Sequence, residues 1–247
     1  MLIAGVEKLT ALDFPGRLAA VVFTPGCNFR CGFCHNPHLV DENRLKETKN
    51  DLIPEESFFN FLKHRKGLLE GVCVSGGEPT IQPGLVEFAL KIKKAGFLVK
   101  IDTNGANSKT LENLIKEKAV DFLAMDIKTS LPNYKDLVGL NIDIGCRDLT
   151  SDVDVVLREV KKSKELIQNS GLPYEFRTTA IKEIHNFEIF EEIGEWIEGA
   201  NDYYIQNFRN KTVLDEKYKK MSGFSDEELL KIKSLMETYV KHCGIRT

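Results

Sequence analysis

The chain has 247 residues, of which 42% are hydrophobic, and this is enough for one sizeable core. The formal net charge is −3, and nothing in the sequence forms the basic surface expected of a nucleic-acid-binding protein. The longest early apolar run, residues 18–23, is too short to cross a bilayer, and the first seven residues lack the basic start of a signal peptide. We therefore expect a single domain, residues 1–247, in the cytoplasm.

Short β-rich runs alternate with helical stretches along the chain. Six strands are predicted, at residues 18–24, 71–75, 97–102, 120–126, 174–180 and 203–206. Six helices are predicted, at residues 54–63, 85–95, 111–118, 153–168, 187–198 and 225–241. Gly96 and Gly171 are stop signals, and Ser225 with Glu228 forms a capping box. This alternation predicts an α/β fold, a partial, open parallel β/α barrel of about six βα units.

Three cysteines follow the first predicted strand with the spacing C-x3-C-x2-C, namely Cys27, Cys31 and Cys34. Three thiolates this close can hold a [4Fe–4S] cluster by three corners and leave one iron open for a substrate. Proteins that only carry electrons normally close that corner with a fourth thiolate. The triplet alone leaves two alternatives, a zinc site completed by His35 or His38 and a simple iron–sulfur electron carrier. Cysteine ligands of this kind indicate a reducing compartment.

A second motif, Ser-Gly-Gly-Glu-Pro at residues 75–79, follows the second predicted strand. Two successive glycines allow backbone conformations that other residues avoid, and they let a ligand approach the carbonyls. An ordinary turn would use the same residues. Because ligand groups gather at the carboxyl ends of parallel strands, we expect this motif, the cysteine triplet and the motifs described below to lie at that edge of the sheet.

The cysteine triplet followed by Gly-Gly-Glu-Pro resembles the radical S-adenosylmethionine enzymes. The resemblance implies that S-adenosylmethionine chelates the open iron through its amino and carboxylate groups. Gly76, Gly77 and Glu78 would bind the methionyl amine, although Glu78 could instead orient the turn. Phe33 would lie against the adenine. One electron from the cluster would cleave the sulfonium to methionine and a 5′-deoxyadenosyl radical, and the protein would bind, orient and exclude water.

Further motifs resemble those of the glycyl-radical-enzyme activases. They are Asp13-Phe14-Pro15-Gly16, Phe23-Thr24-Pro25-Gly26-Cys27, Cys34-His35-Asn36-Pro37, Asp102-Thr103-Asn104-Gly105, Met125-Asp126-Ile127-Lys128 and Arg177-Thr178-Thr179. The resemblance implies that polar residues at three strand ends bind S-adenosylmethionine: Asp102, Thr103, Asn104, Asp126, Lys128, Arg177 and Thr179. A monovalent cation could lie among them. Carboxylates, hydroxyls and cations at successive strand ends also suit a zwitterionic, ribose-bearing ligand on chemical grounds.

Two differences from related activases narrow the choice of partner enzyme. Residues 35–71 contain no cysteine, so the ferredoxin-like insert of some activases is absent. Formate-lyase activases have a histidine on the last strand, whereas in this chain that stretch reads Tyr204-Ile205-Gln206-Asn207-Phe208-Arg209. This stretch looks more like that of the activators of anaerobic ribonucleotide reductase. We therefore favour this reductase as the partner, over formate lyase or another glycyl radical enzyme. The electron donor would be a flavodoxin or ferredoxin, and no nucleic acid or membrane partner is expected.

Several residues keep two interpretations. Asp13 either contacts the incoming loop of the partner or forms a turn before Pro-Gly. His185 has a structural role or a role in the site. Cys73 is predicted to be a small core residue, and no role is assigned to Cys146 or Cys243. Because hydrogen-atom abstraction needs no general base, no catalytic acid or base is predicted beyond the cluster and cofactor site.

Overall fold

The computed structural model describes residues 1–40, 52–139 and 153–247. Their strands form one eight-stranded sheet in which the spatial order follows the chain. The strands are β1 (Gly5–Thr10), β2 (Ala19–Thr24), β3 (Gly71–Gly76), β4 (Leu98–Thr103), β5 (Phe122–Asp126), β6 (Tyr174–Ala180), β7 (Asp202–Asn207) and β8 (His242–Arg246). β1 is antiparallel to β2, and every later pair is parallel. β1 and β8 are the two ends of this order, so the sheet is an open barrel.

Helices cover the outer face of the sheet. They are α1 (Glu55–Lys63), α2 (Leu85–Lys94), α3 (Ser108–Lys116), α4 (Tyr134–Val138), α5 (Val153–Gln168), α6 (Phe187–Trp196) and α7 (Asp226–Met236). The predicted capping box begins α7: the Ser225 hydroxyl accepts from the Glu228 amide, and the Glu228 carboxylate accepts from the Ser225 amide. Gly96, with φ +94°, follows the end of α2 as predicted. Among the described helices, none is both long and apolar enough to span a membrane.

The two faces of the sheet differ in polarity. In β4, Val99 and Ile101 are fully buried in the hydrophobic core, which also contains apolar side chains of the covering helices. Lys100 and Asp102 alternate with them and therefore point to the other face, inside the barrel. Glu175 of β6 is also a buried charged residue. The barrel interior is thus polar in its middle strands, and this is what a site for a charged ligand requires.

The predicted fold class is confirmed, and the strand count is corrected. All six predicted strands are present, with ends displaced by no more than two residues. β1 and β8 were not predicted, but neither is followed by a helix, whereas β2 to β7 each are, so the expectation of about six βα units is confirmed. In β1, Glu7 and Lys8 interrupt the apolar pattern because both are exposed at the sheet edge. The last predicted helix ends at Met236 rather than at residue 241, because residues 242–246 pair with β7.

Candidate functional site

The loop after β2 buries the cysteine triplet. Cys27 and Cys31 are 8% and 7% exposed, and Cys34 is half-buried. Gly32 lies against the ring of Tyr218, where an added Cβ would be 2.2 Å from a ring carbon. A glycine is therefore required between the second and third cysteines, and the segment after β7 packs directly on the cysteine loop.

The three thiols lie close enough to influence one another. Burial raises the pKa of Cys27, and the neighbouring charges of Glu78 and Cys31 raise it further. Burial raises the pKa of Cys31 to about 12, against the opposing charge of Lys128. Cysteines bind metals as thiolates, so these neutral buried thiols must lose their protons when a metal binds.

The described residues contain no group of three or more His, Cys, Asp or Glu side chains placed to hold a single metal ion. A [4Fe–4S] cube makes a different demand, because each thiolate binds a different iron. His35, one of the residues proposed to complete a zinc site, has its Nε2 3.1 Å from the Arg209 carbonyl oxygen and stacks on Phe208. Three thiols lining one cavity therefore fit a cluster better than a zinc ion.

The Gly-Gly-Glu turn at the end of β3 contacts the loop that leads to the cysteines. Gly76 has φ +118°, which favours glycine, and a Cβ on Gly77 would lie 1.9 Å from the Gly26 carbonyl oxygen. The Glu78 amide donates to that same oxygen at 2.8 Å. The close approach that requires these glycines is therefore made by the chain itself.

Glu78 ties the end of β3 to the end of β4. Its side chain is 1% exposed, and its Oε1 accepts from Thr80 Oγ1 at 2.5 Å and from Thr103 Oγ1 at 2.8 Å. Its Oε2 accepts from the Asn104 amide at 2.7 Å. Burial raises the pKa of Glu78, while these hydrogen bonds oppose the shift. Both carboxylate oxygens already have donors from the protein, which favours the orienting role.

An ionic network joins the ends of β4, β5 and β6. Arg177 Nη1 lies 3.3 Å from Asp102 Oδ2, and its Nε donates to Asp126 Oδ1 at 2.9 Å. Lys128 Nζ lies 2.8 Å from Asp126 Oδ2, and Lys100 Nζ pairs with Asp102. Burial alone would raise the pKa of Asp126, but the charges of Arg177 and Lys128 outweigh it and hold that pKa well below its ordinary value. This side of the cavity is ionised and paired.

One cavity of about 380 Å³ connects these parts, a volume usual for small-molecule sites. Its lining includes every residue predicted to bind the cluster or the cofactor: Cys27, Cys31, Cys34, Phe33, Gly76, Gly77, Glu78, Asp102, Thr103, Asn104, Asp126, Lys128, Arg177 and Thr179. It also includes Gln206, at the end of β7, and four residues that were not predicted to bind the cluster or the cofactor: Phe29, Asn36, Val40 and Ser75. The cofactor assignments themselves are taken up under the proposed function.

Lys100 was missed, although it is 1% exposed and ion-paired to a predicted site residue. A lone lysine two residues before Asp102 in an apolar strand was the sequence feature that could have revealed it.

Asp13 corrects the expectation that every motif lies at the carboxyl ends of the strands. It follows β1 at the amino ends of the parallel strands, where Thr10 Oγ1 donates to its Oδ2 at 2.6 Å. This is the turn-forming interpretation, although Asp13 also borders the cavity.

The remaining cysteines and His185 can also be placed. Cys73 is fully buried, as expected of a core residue, with its Sγ 3.9 Å from Lys100 Nζ. Cys243 is buried in β8, and Cys146 lies outside the described residues. His185 is fully buried and bonds the backbone of Lys128, so it is both structural and next to the site.

Comparisons with known proteins identify the class. Residues 21–193 match the family model described as the radical SAM superfamily. This match covers more than half of the chain, which therefore belongs to that superfamily. A protein of Methanocaldococcus jannaschii, MJ1227, is 31% identical over 247 residues, covering 100% of this chain and 96% of the relative, and its provisional name is glycyl-radical enzyme activating enzyme. The pyruvate formate-lyase-activating enzyme of Clostridium pasteurianum is 29% identical over 252 residues, covering 97% and 96%. Within the superfamily the chain belongs to the glycyl-radical-enzyme activating enzymes.

Solved structures show the same fold. Streptococcus suis SuiB bound to its precursor peptide SuiA has a TM-score of 0.64 at 17% identity, with 92% of this chain and 48% of that chain covered. The chain thus spans about half of SuiB. QueE from Escherichia coli has a TM-score of 0.56 at 14% identity, with 100% and 93% covered. Family membership makes the protein an enzyme and implies a [4Fe–4S] cluster and S-adenosylmethionine, which decides against the zinc and electron-carrier alternatives.

Proposed function

We propose that this activating enzyme generates the glycyl radical of anaerobic ribonucleoside-triphosphate reductase. The choice of partner rests on Gln206, a residue near the end of β7 that lines the cavity. The resemblance assigns formate-lyase activases a histidine on this strand. A glutamine there cannot titrate near neutral pH, and its side-chain amide can both donate and accept hydrogen bonds.

The cysteine loop would hold the cluster through Cys27, Cys31 and Cys34. When bound, the cluster and S-adenosylmethionine, with one electron from a flavodoxin or ferredoxin, supply a 5′-deoxyadenosyl radical that takes a hydrogen atom from the Cα of a partner glycine. The chain's own part is to bind, orient and exclude water. Burial of the thiols and the tight packing of Gly32 on Tyr218 support this part.

The strand-end residues would bind the zwitterionic cofactor. We assign the methionyl amine to the Gly76–Gly77 turn, with Glu78 keeping that turn in place through its bonds to β4. Arg177 and Lys128 supply cations for the carboxylate, and the carboxylates of Asp102 and Asp126 suit ribose hydroxyls. The remaining assignments are Thr103, Asn104 and Thr179 for the polar groups and Phe33 for the adenine. Because the two aspartates already contact Lys100, Arg177 and Lys128, we include no monovalent cation.

Activation of pyruvate formate lyase is the second candidate. The relative from C. pasteurianum supports it, since that protein matches almost the whole chain and its name states this activity.

We also propose that residues 1–247 form one domain, because all the described strands belong to one sheet. A reducing cytoplasm suits an enzyme whose described cysteines are all free thiols.

The test is anaerobic electron paramagnetic resonance. Reconstituted protein, reductant and S-adenosylmethionine are mixed in parallel with an anaerobic ribonucleotide reductase and a formate lyase from the same source. We expect a glycyl-radical signal on the reductase alone. A signal on the lyase alone would overturn the partner and keep the chemistry. Intact S-adenosylmethionine and no signal on either partner would contradict the activating function.

A further inference from the structure

The backbone of Lys128 is held by side chains rather than by the sheet. Pairing of β5 with β6 ends at Asp126 opposite Arg177. One residue further, the Ile127 amide still donates to the Arg177 carbonyl at 2.8 Å. At Lys128 the pattern changes, because its amide donates to the Tyr134 hydroxyl at 3.4 Å and its carbonyl lies 3.0 Å from His185 Nε2.

His185 is fixed in one tautomer by its surroundings. The imidazole is fully buried, and the Ile181 amide donates to its Nδ1 at 3.1 Å. An acceptor at Nδ1 leaves the proton on Nε2, which can then donate to the Lys128 carbonyl. The ring of Phe190, with its centroid 5.8 Å away, packs beside it. Burial lowers the pKa of His185, so the ring stays neutral.

Lys128 links the two sides of the cavity. Its Nζ contacts Asp126 in the ionic network and lies 5.9 Å from the centroid of the Phe33 ring in the cysteine loop. Its charge also opposes the burial that raises the pKa of Cys31. A lysine side chain has several rotatable bonds, so a fixed backbone is needed to keep its ammonium at one place.

We propose that His185 is a positioning residue whose neutral Nε2–H holds the Lys128 backbone, and through it the Lys128 ammonium, where S-adenosylmethionine binds. This inference rests on the proposed function for its ligand. A histidine that merely fills the core would be replaced equally well by any side chain of similar size. A positioning role instead depends on one hydrogen bond, the one donated to the Lys128 carbonyl.

Two substitutions separate these roles. His185→Gln keeps an N–H near the position of Nε2, and His185→Asn keeps an acceptor near Nδ1 but cannot reach the Lys128 carbonyl. We measure equilibrium binding of S-adenosylmethionine to anaerobically reconstituted protein. His185→Asn is expected to weaken binding by about five- to tenfold, and His185→Gln by no more than about twofold, in line with one lost hydrogen bond. Iron content should equal that of the wild type in both, and His64→Asn, at an exposed histidine, should bind normally.

Equal binding by His185→Asn and His185→Gln, or weaker binding by His185→Gln, would overturn the inference and leave the proposed function intact. Failure of the wild type to bind S-adenosylmethionine would contradict the proposed function itself. A second measurement does not depend on the variants or on the cluster. Nitrogen-15 NMR of histidine-labelled wild-type protein should show the Nε2-protonated tautomer for His185, and an Nδ1-protonated ring would overturn the inference.

Discussion

The cysteine loop and the strand-end ionic network form two walls of one cavity, yet they are prepared for a ligand in different ways. The thiols of Cys27 and Cys31 are buried and neutral, and they become useful ligands only when a metal replaces their protons. The carboxylates of Asp102 and Asp126 are ionised and already paired with side-chain cations. One wall is therefore completed by its cluster, whereas the other is organised by the protein alone.

The largest expected effect follows from breaking the first wall. Cys31→Ala removes the middle thiolate, so we expect loss of the cluster's iron and visible absorption, and with it complete loss of S-adenosylmethionine cleavage. Iron analysis and absorption after anaerobic reconstitution measure this. Cys243→Ser is the matched control, since this buried cysteine of β8 does not line the cavity and should leave iron content unchanged. Full iron content in Cys31→Ala would contradict the assignment of Cys31 as a cluster ligand.

Breaking the second wall, the ionic network, should lower the stability of the protein itself. Arg177→Met leaves Asp102 and Asp126 with one cation each, at a cost of about 3 kcal/mol in unfolding free energy. Denaturant unfolding of the cluster-free protein measures this loss, so it does not depend on reconstitution.

Two further variants sharpen this result. Asp126→Asn combined with Arg177→Met should cost less than the sum of the two single changes, because the partners are coupled. Arg17→Met removes a cation from an exposed pair with Glu70 and should have only a marginal effect. If Arg177→Met proved as mild as Arg17→Met, the network would not organise this wall.

The first wall was more predictable from sequence than the second. The spacing of Cys27, Cys31 and Cys34 reflects a local loop, so the chain order alone reveals that these thiols share a site. The parallel sheet follows from alternation of strand and helix, and it brings Asp102, Asp126 and Arg177 to one edge. Which cation pairs with which carboxylate depends on side-chain direction across three strands, and Lys100 was missed for this reason.

Edge strands and close backbone contacts also escaped prediction. Among the strands that the structure describes, β8 pairs only with β7, and it contains Gly244, so its five residues lack the apolar run of a central strand. The two glycines at the end of β3 were expected to admit a ligand, but the contact that requires Gly77 comes from Gly26, which is 51 residues earlier in a neighbouring loop. Such a contact exists only once the strands are assembled.

The pH dependence of stability sharpens the contrast, because the two walls should respond to pH with opposite signs. The pKa of Cys31 is raised from its ordinary 9.0 to about 12, so above pH 9 the unfolded chain loses this proton while the folded protein keeps it. Stability then falls as pH rises, by about 1.4 kcal/mol per pH unit for each such thiol. The pKa values of Asp102 and Asp126 are lowered, so their stabilisation is present above the ordinary 3.8 and is lost as pH falls below it.

Denaturant unfolding of the cluster-free protein at a series of pH values tests this contrast. Cys31→Ala should have a shallower alkaline slope than the wild type, by about 1.4 kcal/mol per pH unit, and an unchanged acid slope. Asp126→Asn should show the reverse pattern, with a shallower acid slope only. Parallel alkaline curves for Cys31→Ala and the wild type would mean that this thiol titrates at its ordinary pKa, and the proposed difference between the walls would then be wrong. Opposite responses would show that one side of the cavity has thiols that stay neutral until a metal binds, and that the other side is ionised at neutral pH without any metal.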